Sequence, residues 1–329
     1  MATITVPLPR PSTGPLRPLS ILHDLQQVAD LIELCFAATI DDDGASYLQQ
    51  MRRASRDNDF LRWAVKVVDS TSMPLSGFVW EENGKIVGNA SLVYQSYQGR
   101  KIAMIANVAT HPDFRRRGIG RALTERAMEH AWRKSARELW LQVRDDNPTA
   151  IKIYSDLGFV ERARRTTYYS KAETSALLPP EGVIVTRINP RDWPLQREWL
   201  KRLHPDELSW YAHWDWNTLG PGPWKWLYRA FLDSANRQWA ARRNGRLLAT
   251  VSWIPSMRAV NMLWMAVEPH GEPAAVRAML EIARRDLAHY RRLTVEYPQG
   301  EMASAIESAG FNAFRTLIWM HAERATPST

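Results

Sequence analysis

Val108-Ala109-Thr110-His111-Pro112-Asp113-Phe114-Arg115-Arg116-Arg117-Gly118-Ile119-Gly120-Arg121-Ala122-Leu123 decides the reading of this chain. An apolar strand, Ile102 to Thr110, runs into a His-Pro turn and then into Arg-x-x-Gly-x-Gly. A helix follows, its apolar face beginning at Ala122 and Leu123. Gly118 and Gly120 let the backbone bend so that successive N–H groups face one concavity at the helix N-terminus, where the dipole also favours an anion. Three consecutive arginines add positive charge. The Lys-Ser/Thr of a nucleotide P-loop is absent, and so is a third glycine at Rossmann spacing. The ligand expected here carries a diphosphate and needs no Mg²⁺-bound γ-phosphate.

Outward from this cradle the pattern is regular. Leu16 to Ser20 reads as a short strand, and His23 to Ala37 puts Leu25, Val28, Ala29, Ile32 and Phe36 on one helical face. A second helix is expected over Ala45 to Ala54, with Asp43 or Gly44 near its N-cap. Phe78 to Glu81 and Ile86 to Gln95 flank Asn83-Gly84, a strong hairpin signal, and Gln98-Gly99 marks another turn. After the cradle helix, Gly120 to Ser135, the strand Leu139 to Val143 comes too soon for anything but a crossover parallel to the strand ending at Thr110. Asn147-Pro148 opens a helix with Ala150, Ile151, Tyr154 and Leu157 on one face, stopped at Gly158. Phe159 to Glu161 and Arg165 to Ser170 are expected to close as a hairpin.

Composition narrows the class. The chain has 329 residues, 45% of them apolar and 24% charged, which suits two soluble globular domains. The net charge of +8 is spread along the sequence without a basic helix, so an anionic small ligand explains it and no nucleic acid is expected. No run is long and apolar enough for a membrane span and the Pro-rich start is not a signal peptide, so the expectation is a cytoplasmic protein with no membrane partner. The single cysteine, Cys35, is read as a core residue, and the histidines show no metal-ligand spacing; no metal is expected.

Three motifs then occur in order: the strand with Arg115-x-x-Gly118-x-Gly120, the strand Leu139 to Val143 followed by Asn147, and Ala150-x-x-x-Tyr154-x-x-x-Gly158-Phe159. With these, residues 16–170 resemble the GNAT N-acetyltransferases. The resemblance implies an α/β (α+β) fold: a mixed, mainly antiparallel sheet with helices on both faces and a splayed parallel pair at the cofactor cleft. It implies acetyl-CoA as co-substrate, its pantetheine arm filling the splay. Val108 and Thr110 would touch the arm through main-chain atoms, and the N–H of Val108 would also meet the thioester oxygen. The segment Arg115, Arg116, Arg117, Gly118, Ile119, Gly120, Arg121 would hold the pyrophosphate, from Arg116 on through N–H groups. Asn147 would bind the arm, and Tyr154 would protonate the departing thiolate. No general base is evident; Asp41, Asp42, Asp43, Asp145 and Asp146 are candidates, and a water chain is the alternative.

The second half repeats the outline. Strands flank Asn244-Gly245, another strand ends at Glu268-Pro269, and Leu293 to Glu296 precedes a helix ending Ala309-Gly310-Phe311. Its cradle segment, Glu268-Pro269-His270-Gly271-Glu272-Pro273, has no Gly-x-Gly and no arginine, while Ile306 and Gln299 stand where Tyr154 and Asn147 do. The expected organisation is therefore a Pro-rich tail (1–15), a catalytic domain (16–170), a linker (171–182) and a degenerate GNAT-like copy (183–329) that does not bind acetyl-CoA. Eleven of the fifteen tryptophans lie in this copy. Trp210, Trp214, Trp216, Trp224 and Trp226, with Tyr211 and His213, are read as core or as the wall of an acceptor pocket. The function expected is transfer of an acetyl group to a primary amine, on a small molecule or a peptide, by direct attack. A non-catalytic acetyl-CoA-binding module and a protein N-acetyltransferase are the alternatives, and a homodimer is left open.

Overall fold

Apolar spacing and turn residues place most elements where the sequence puts them. The computed structural model describes residues 15–40, 42–57, 76–170, 182–212, 216–221, 236–255, 261–289 and 292–324. In the first half these are β1 (Leu16–Pro18), α1 (Ile21–Phe36), α2 (Asp42–Ala54), β2 (Ser76–Glu82), β3 (Lys85–Tyr97), β4 (Arg100–Thr110), α3 (Ile119–Arg133), β5 (Glu138–Arg144), α4 (Pro148–Asp156) and β6 (Val160–Ser170). The second half supplies β7 (Ile184–Arg187), α5 (Trp193–Leu203), β8 (Arg237–Arg243), β9 (Arg246–Trp253), β10 (Asn261–Val267), α6 (Pro273–Asp286), β11 (Leu293–Pro298), α7 (Ala303–Ser308) and β12 (Phe311–Glu323). Helix α2 begins at Asp42, ahead of the N-cap expected at Asp43 or Gly44.

The chain divides into two compact units, one running to Arg162 and resuming at Trp319, the other Ala163–Ile318. The division falls inside β6 and β12; of the segment expected as linker, residues 171–181 lie outside the described residues.

In the first unit β1, β2, β3 and β4 follow one another antiparallel, and β4 runs parallel to β5. Side-chain alternation feeds both faces. Val79 packs under α1 and α2 with Leu25, Val28, Ile32, Leu48 and Met51, whereas its neighbour Phe78 meets His130 and Arg126 of α3 at 5.4 and 5.3 Å. Helix α3 sits close to the sheet because residue 88 is glycine: a Cβ there would lie 2.7 Å from Ile119 Cγ2 and 2.8 Å from Leu123 Cδ1. Strand β12 is hydrogen-bonded next to β5; Trp319 meets Trp140 edge-on at 6.4 Å, and His321 lies tilted over it at 4.5 Å.

The second unit orders its strands β12 (its part up to Ile318), β6, β11, β10, β9, β8, β7, with β10 and β11 parallel and the pairs β6–β11, β10–β9, β9–β8 and β8–β7 antiparallel. Helix α6 covers one face through Val276, Met279, Leu280 and Ala283; α5 covers the other through Trp199 and Leu200 against Ala240, Leu247 and Ala266.

One element departs from expectation. Residues 160–170 form a single strand where a closing hairpin was expected. The strand runs from Val160 to Ser170 without a break, and no residue in it adopts a positive φ. Thr166 and Tyr168 are instead buried, and Arg165 to Tyr169 pair antiparallel with Pro298 to Thr294. A long-range partner decides this, and local spacing does not carry it.

Candidate active site

The site begins where two parallel strands part. β4 and β5 pair from Ile102–Glu138 to Ile105–Leu141 and no further, so Ala106 to Thr110 and Gln142 to Arg144 leave a wedge between them. On its other side β4 carries a bulge. Asn89 opposes Ala109 and Ser91 opposes Ala106, which sets Asn107 and Val108 against Ala90 alone. Asn107 takes the left-handed conformation, φ +52°, which asparagine tolerates better than most residues. Its carbonyl accepts from Asn89 Nδ2 at 2.9 Å, and its own Nδ2 donates to the Tyr47 hydroxyl at 3.4 Å.

The cradle follows directly. A single turn over Pro112–Phe114 is closed by His111, whose Nδ1 accepts from Asp113 N at 3.3 Å. Arg116 and Gly118 then take positive φ, +64° and +78°, and α3 starts. Its first bond runs from Ala122 N to Gly118 O at 3.0 Å, so the N–H groups of Ile119, Gly120 and Arg121 have no intrahelical acceptor. Ile119 is buried and anchors the turn, while Arg115, Arg116, Arg117 and Gly118 are exposed. Arg117 lies over the Phe114 ring at 4.8 Å and 3.6 Å from Glu82, and Arg121 pairs with Glu125 at 2.9 Å. This set fits a diphosphate: free N–H donors at a helix N-terminus, two residues in left-handed conformation, and guanidinium groups around them.

The end of β4 and the cradle come together at Thr110. Its Oγ1 would lie 3.6 Å from a Cβ on residue 120, and its carbonyl accepts from Arg115 Nε at 3.3 Å and Cys35 Sγ at 3.4 Å. Cys35 is thus a half-buried thiol beside the cradle, less enclosed than a core residue; burial raises its pKa against the opposing pull of Arg115.

Asn147 caps α4, its Oδ1 accepting from Ala150 N at 3.1 Å, which leaves its Nδ2 for another partner. Tyr154, two turns on, is buried with its ring 6.1 Å from Phe159, and its phenol makes no hydrogen bond among the described residues. Burial alone pushes its pKa up to about 12. Among the candidate bases, Asp146 is clamped by Arg144, which holds its carboxyl below the ordinary range and makes it a poor proton acceptor. Asp41 and the side chains of Asp42 and Asp43 lie outside the described residues. Asn89, Tyr47 and Gly88 are missing from the sequence reading. Gly88 alone had a signal, a glycine inside a strand pattern.

The second unit keeps the splayed parallel pair but has neither the bulge nor the glycine turn. β10 and β11 pair from Asn261–Leu293 to Leu263–Val295 and then part, but β10 runs against β9 from Leu263–Trp253 to Val267–Ala249 without a bulge. Arg165 of β6 is buried beside the far end of β11: Nε donates to Glu296 Oε1 at 2.5 Å, Nη1 to the Leu203 carbonyl at 2.7 Å, and Nη2 to the Glu296 carbonyl and His204 Nδ1, both at 3.2 Å. Burial first, and Arg165 next, hold His204 well below its ordinary pKa. In the loop after β10, Glu268 and Glu272 face Arg246 and Arg243 at 2.6 and 2.8 Å, so acids stand where the first unit has N–H donors and arginines. Trp210 and Trp216 are buried here; Trp214, Trp224, Trp226 and His213 lie outside the described residues. Among the described residues no group of three or more His, Cys, Asp or Glu could hold a metal, and no helix is long and apolar enough to cross a membrane.

A splayed parallel pair, a bulged strand and a glycine turn at the following helix are the frame of this first unit, and the family it matches makes the chain an acyltransferase. The model of the acetyltransferase (GNAT) family matches residues 30–159. The ribosomal protein bS18 alanine N-acetyltransferase of Escherichia coli K12 is 35% identical over 106 residues, 28% of this chain and 72% of the relative. Its Salmonella typhimurium counterpart is 42% identical over 71 residues, 22% of this chain and about half, 48%, of that protein. Two solved structures share the fold. The GCN5-related glucosamine N-acetyltransferase region of a fungal multi-domain GH3 β-N-acetylglucosaminidase has a TM-score of 0.57 at 15% identity, covering 95% of this chain and 38% of that one. A GCN5-related N-acetyltransferase from Sphaerobacter thermophilus has 0.56 at 14%, covering 94% and 95%. The chain belongs to the GNAT acetyltransferase family.

Proposed function

We propose that this chain is an acetyl-CoA-dependent N-acetyltransferase that moves an acetyl group to a primary amine by direct attack, with the first unit catalytic and the second a non-binding copy. The observation that carries the reading is the bulge at Asn107–Val108, which turns one peptide of β4 out of the ladder beside the wedge and just ahead of the cradle. Ile119, Gly120 and Arg121 donate backbone N–H groups to the pyrophosphate, and Arg115, Arg116 and Arg117 supply the charge around it. Val108 and Thr110 hold the arm through main-chain atoms, with Asn147 Nδ2 on its other side. The N–H of Val108 donates to the thioester oxygen, where negative charge grows as the amine attacks.

The amine, having lost a proton to water, bonds through its nitrogen to the acetyl carbon; as the tetrahedral intermediate collapses the C–S bond breaks, the departing sulfur draws the Tyr154 proton, and the second proton, shed by the nitrogen as the amide forms, returns through water to restore the phenol. With a phenol near 12 and a thiol near 8.5, full transfer is uphill by roughly 5 kcal/mol, so Tyr154 works by placing a donor against the sulfur as charge develops. It stays protonated across the working pH range and contributes no alkaline limb below about pH 11.

A peptide N-terminus joins small amines as a candidate acceptor, because the bacterial relatives are named for acetylating the alanine of a ribosomal protein. The test is thiol release from acetyl-CoA with a panel of small amines and Ala-initiated peptides, for wild type and Tyr154→Phe. We expect turnover with at least one class, a fall in kcat of about a hundredfold in the variant, and unchanged acetyl-CoA affinity. Tight acetyl-CoA binding without turnover on any amine would leave the chain a binding module.

A further inference from the structure

The peptide joining Asn107 to Val108 is gripped from its carbonyl end. Asn89, on β3 and fully buried, donates from Nδ2 to the Asn107 carbonyl at 2.9 Å and to Ser91 Oγ at 3.1 Å. No peptide among the described residues is cis, so the carbonyl of Asn107 and the N–H of Val108 point in opposite directions from one rigid plane. Fixing the carbonyl therefore fixes the N–H, aimed away from Asn89. The grip matters because Asn107 sits at φ +52°, a conformation asparagine reaches at lower cost than most residues but that its own side chain, turned to Tyr47, does not lock. Donation into the carbonyl also polarises the peptide and strengthens its N–H as a donor. Asn89 keeps its amide in the core although its Oδ1 has no hydrogen-bond partner among the described residues, a cost to folding that calls for a compensating role.

We propose that Asn89 is a positioning residue for acyl transfer: by holding the Asn107 carbonyl it aims the Val108 N–H at the thioester oxygen. The inference rests on the reading of the first unit as the acetyl-CoA site. Two observables test it on the full chain: the Val108 amide resonance in ¹⁵N-labelled protein, and the ratio of acetyl-CoA to CoA affinity by calorimetry. Asn89→Ala removes the donor, and Asn89→Leu removes it while keeping the volume, so a packing defect in one does not decide the result.

In both variants the Val108 resonance is expected to move in the ligand-free protein. The preference for acetyl-CoA over CoA should fall about three- to tenfold, and kcat about tenfold or more. CoA affinity should stay near wild type, because the cradle is untouched. A Val108 resonance at its wild-type position in a folded variant overturns the lock. A moved resonance with an unchanged preference overturns the positioning role. If wild type binds neither acetyl-CoA nor CoA, the functional reading and with it the positioning role fall, and the resonance still decides whether Asn89 sets the peptide.

Discussion

Gly118 holds the cradle open by backbone conformation alone, and this can be separated from sterics. At φ +78° a Cβ on residue 118 would meet nothing within 4 Å, so Gly118→Ala adds no clash and costs only the left-handed backbone, about 1–2 kcal/mol. If the loop keeps its shape, that cost appears as lost stability. If it relaxes, the N–H groups of Ile119 to Arg121 lose their common focus and the cost appears as lost affinity, about 5- to 30-fold in the acetyl-CoA Kd. The two readings must together account for the same free energy. Gly118→Asn should fall between glycine and alanine, because a short polar side chain eases the left-handed region, and Gly118→Val should be worst. Gly120 is the control: its φ is not positive and a Cβ would sit 3.6 Å from Thr110 Oγ1, ordinary contact, so Gly120→Ala should unfold with a wild-type midpoint. Calorimetric titration with acetyl-CoA and urea unfolding of each variant measure both terms. A Gly118→Ala protein with wild-type stability and wild-type affinity would refute the argument.

Two further outcomes test the packing. His204 is held neutral by burial and by Arg165; the unfolded chain binds a proton near pH 6.5 that the native state refuses, so stability rises with pH through this window and is lost as pH falls. The loss should reach about 2 kcal/mol between pH 7 and pH 5, and the slope should flatten in His204→Gln when urea midpoints are compared; equal slopes would show that His204 does not titrate on unfolding. Trp319 is 4% exposed and packs on Trp140 in the first unit. Trp319→Ala should therefore cost about 3–5 kcal/mol, read as a lower urea midpoint, and a wild-type midpoint would mean this strand end contributes nothing there.

Local chemistry wrote most of this protein into its sequence. Asn83-Gly84 and Asn244-Gly245 turn where they stand, with φ of +51°, +75°, +50° and +80°, because the turn needs only its own residues. The cradle is legible for the same reason: its glycines, its arginines and the helix that follows occupy consecutive positions. Its loss from the second half, Glu268 to Pro273, was equally plain, and so was the cap at Asn147. What required tertiary structure lies across long separations. The single strand at 160–170 is set by β11, more than a hundred residues on. The bulge that turns Val108 is gripped by Asn89, 18 residues earlier along the chain and one strand away. Arg165 reaches Glu296 across 131 residues and is buried against it and the end of α5. Periodicity tells a residue which face it occupies and says nothing about which distant partner meets it there, so the sequence showed the glycine turn with its arginines and the fold decided which peptide of β4 stands bulged ahead of it.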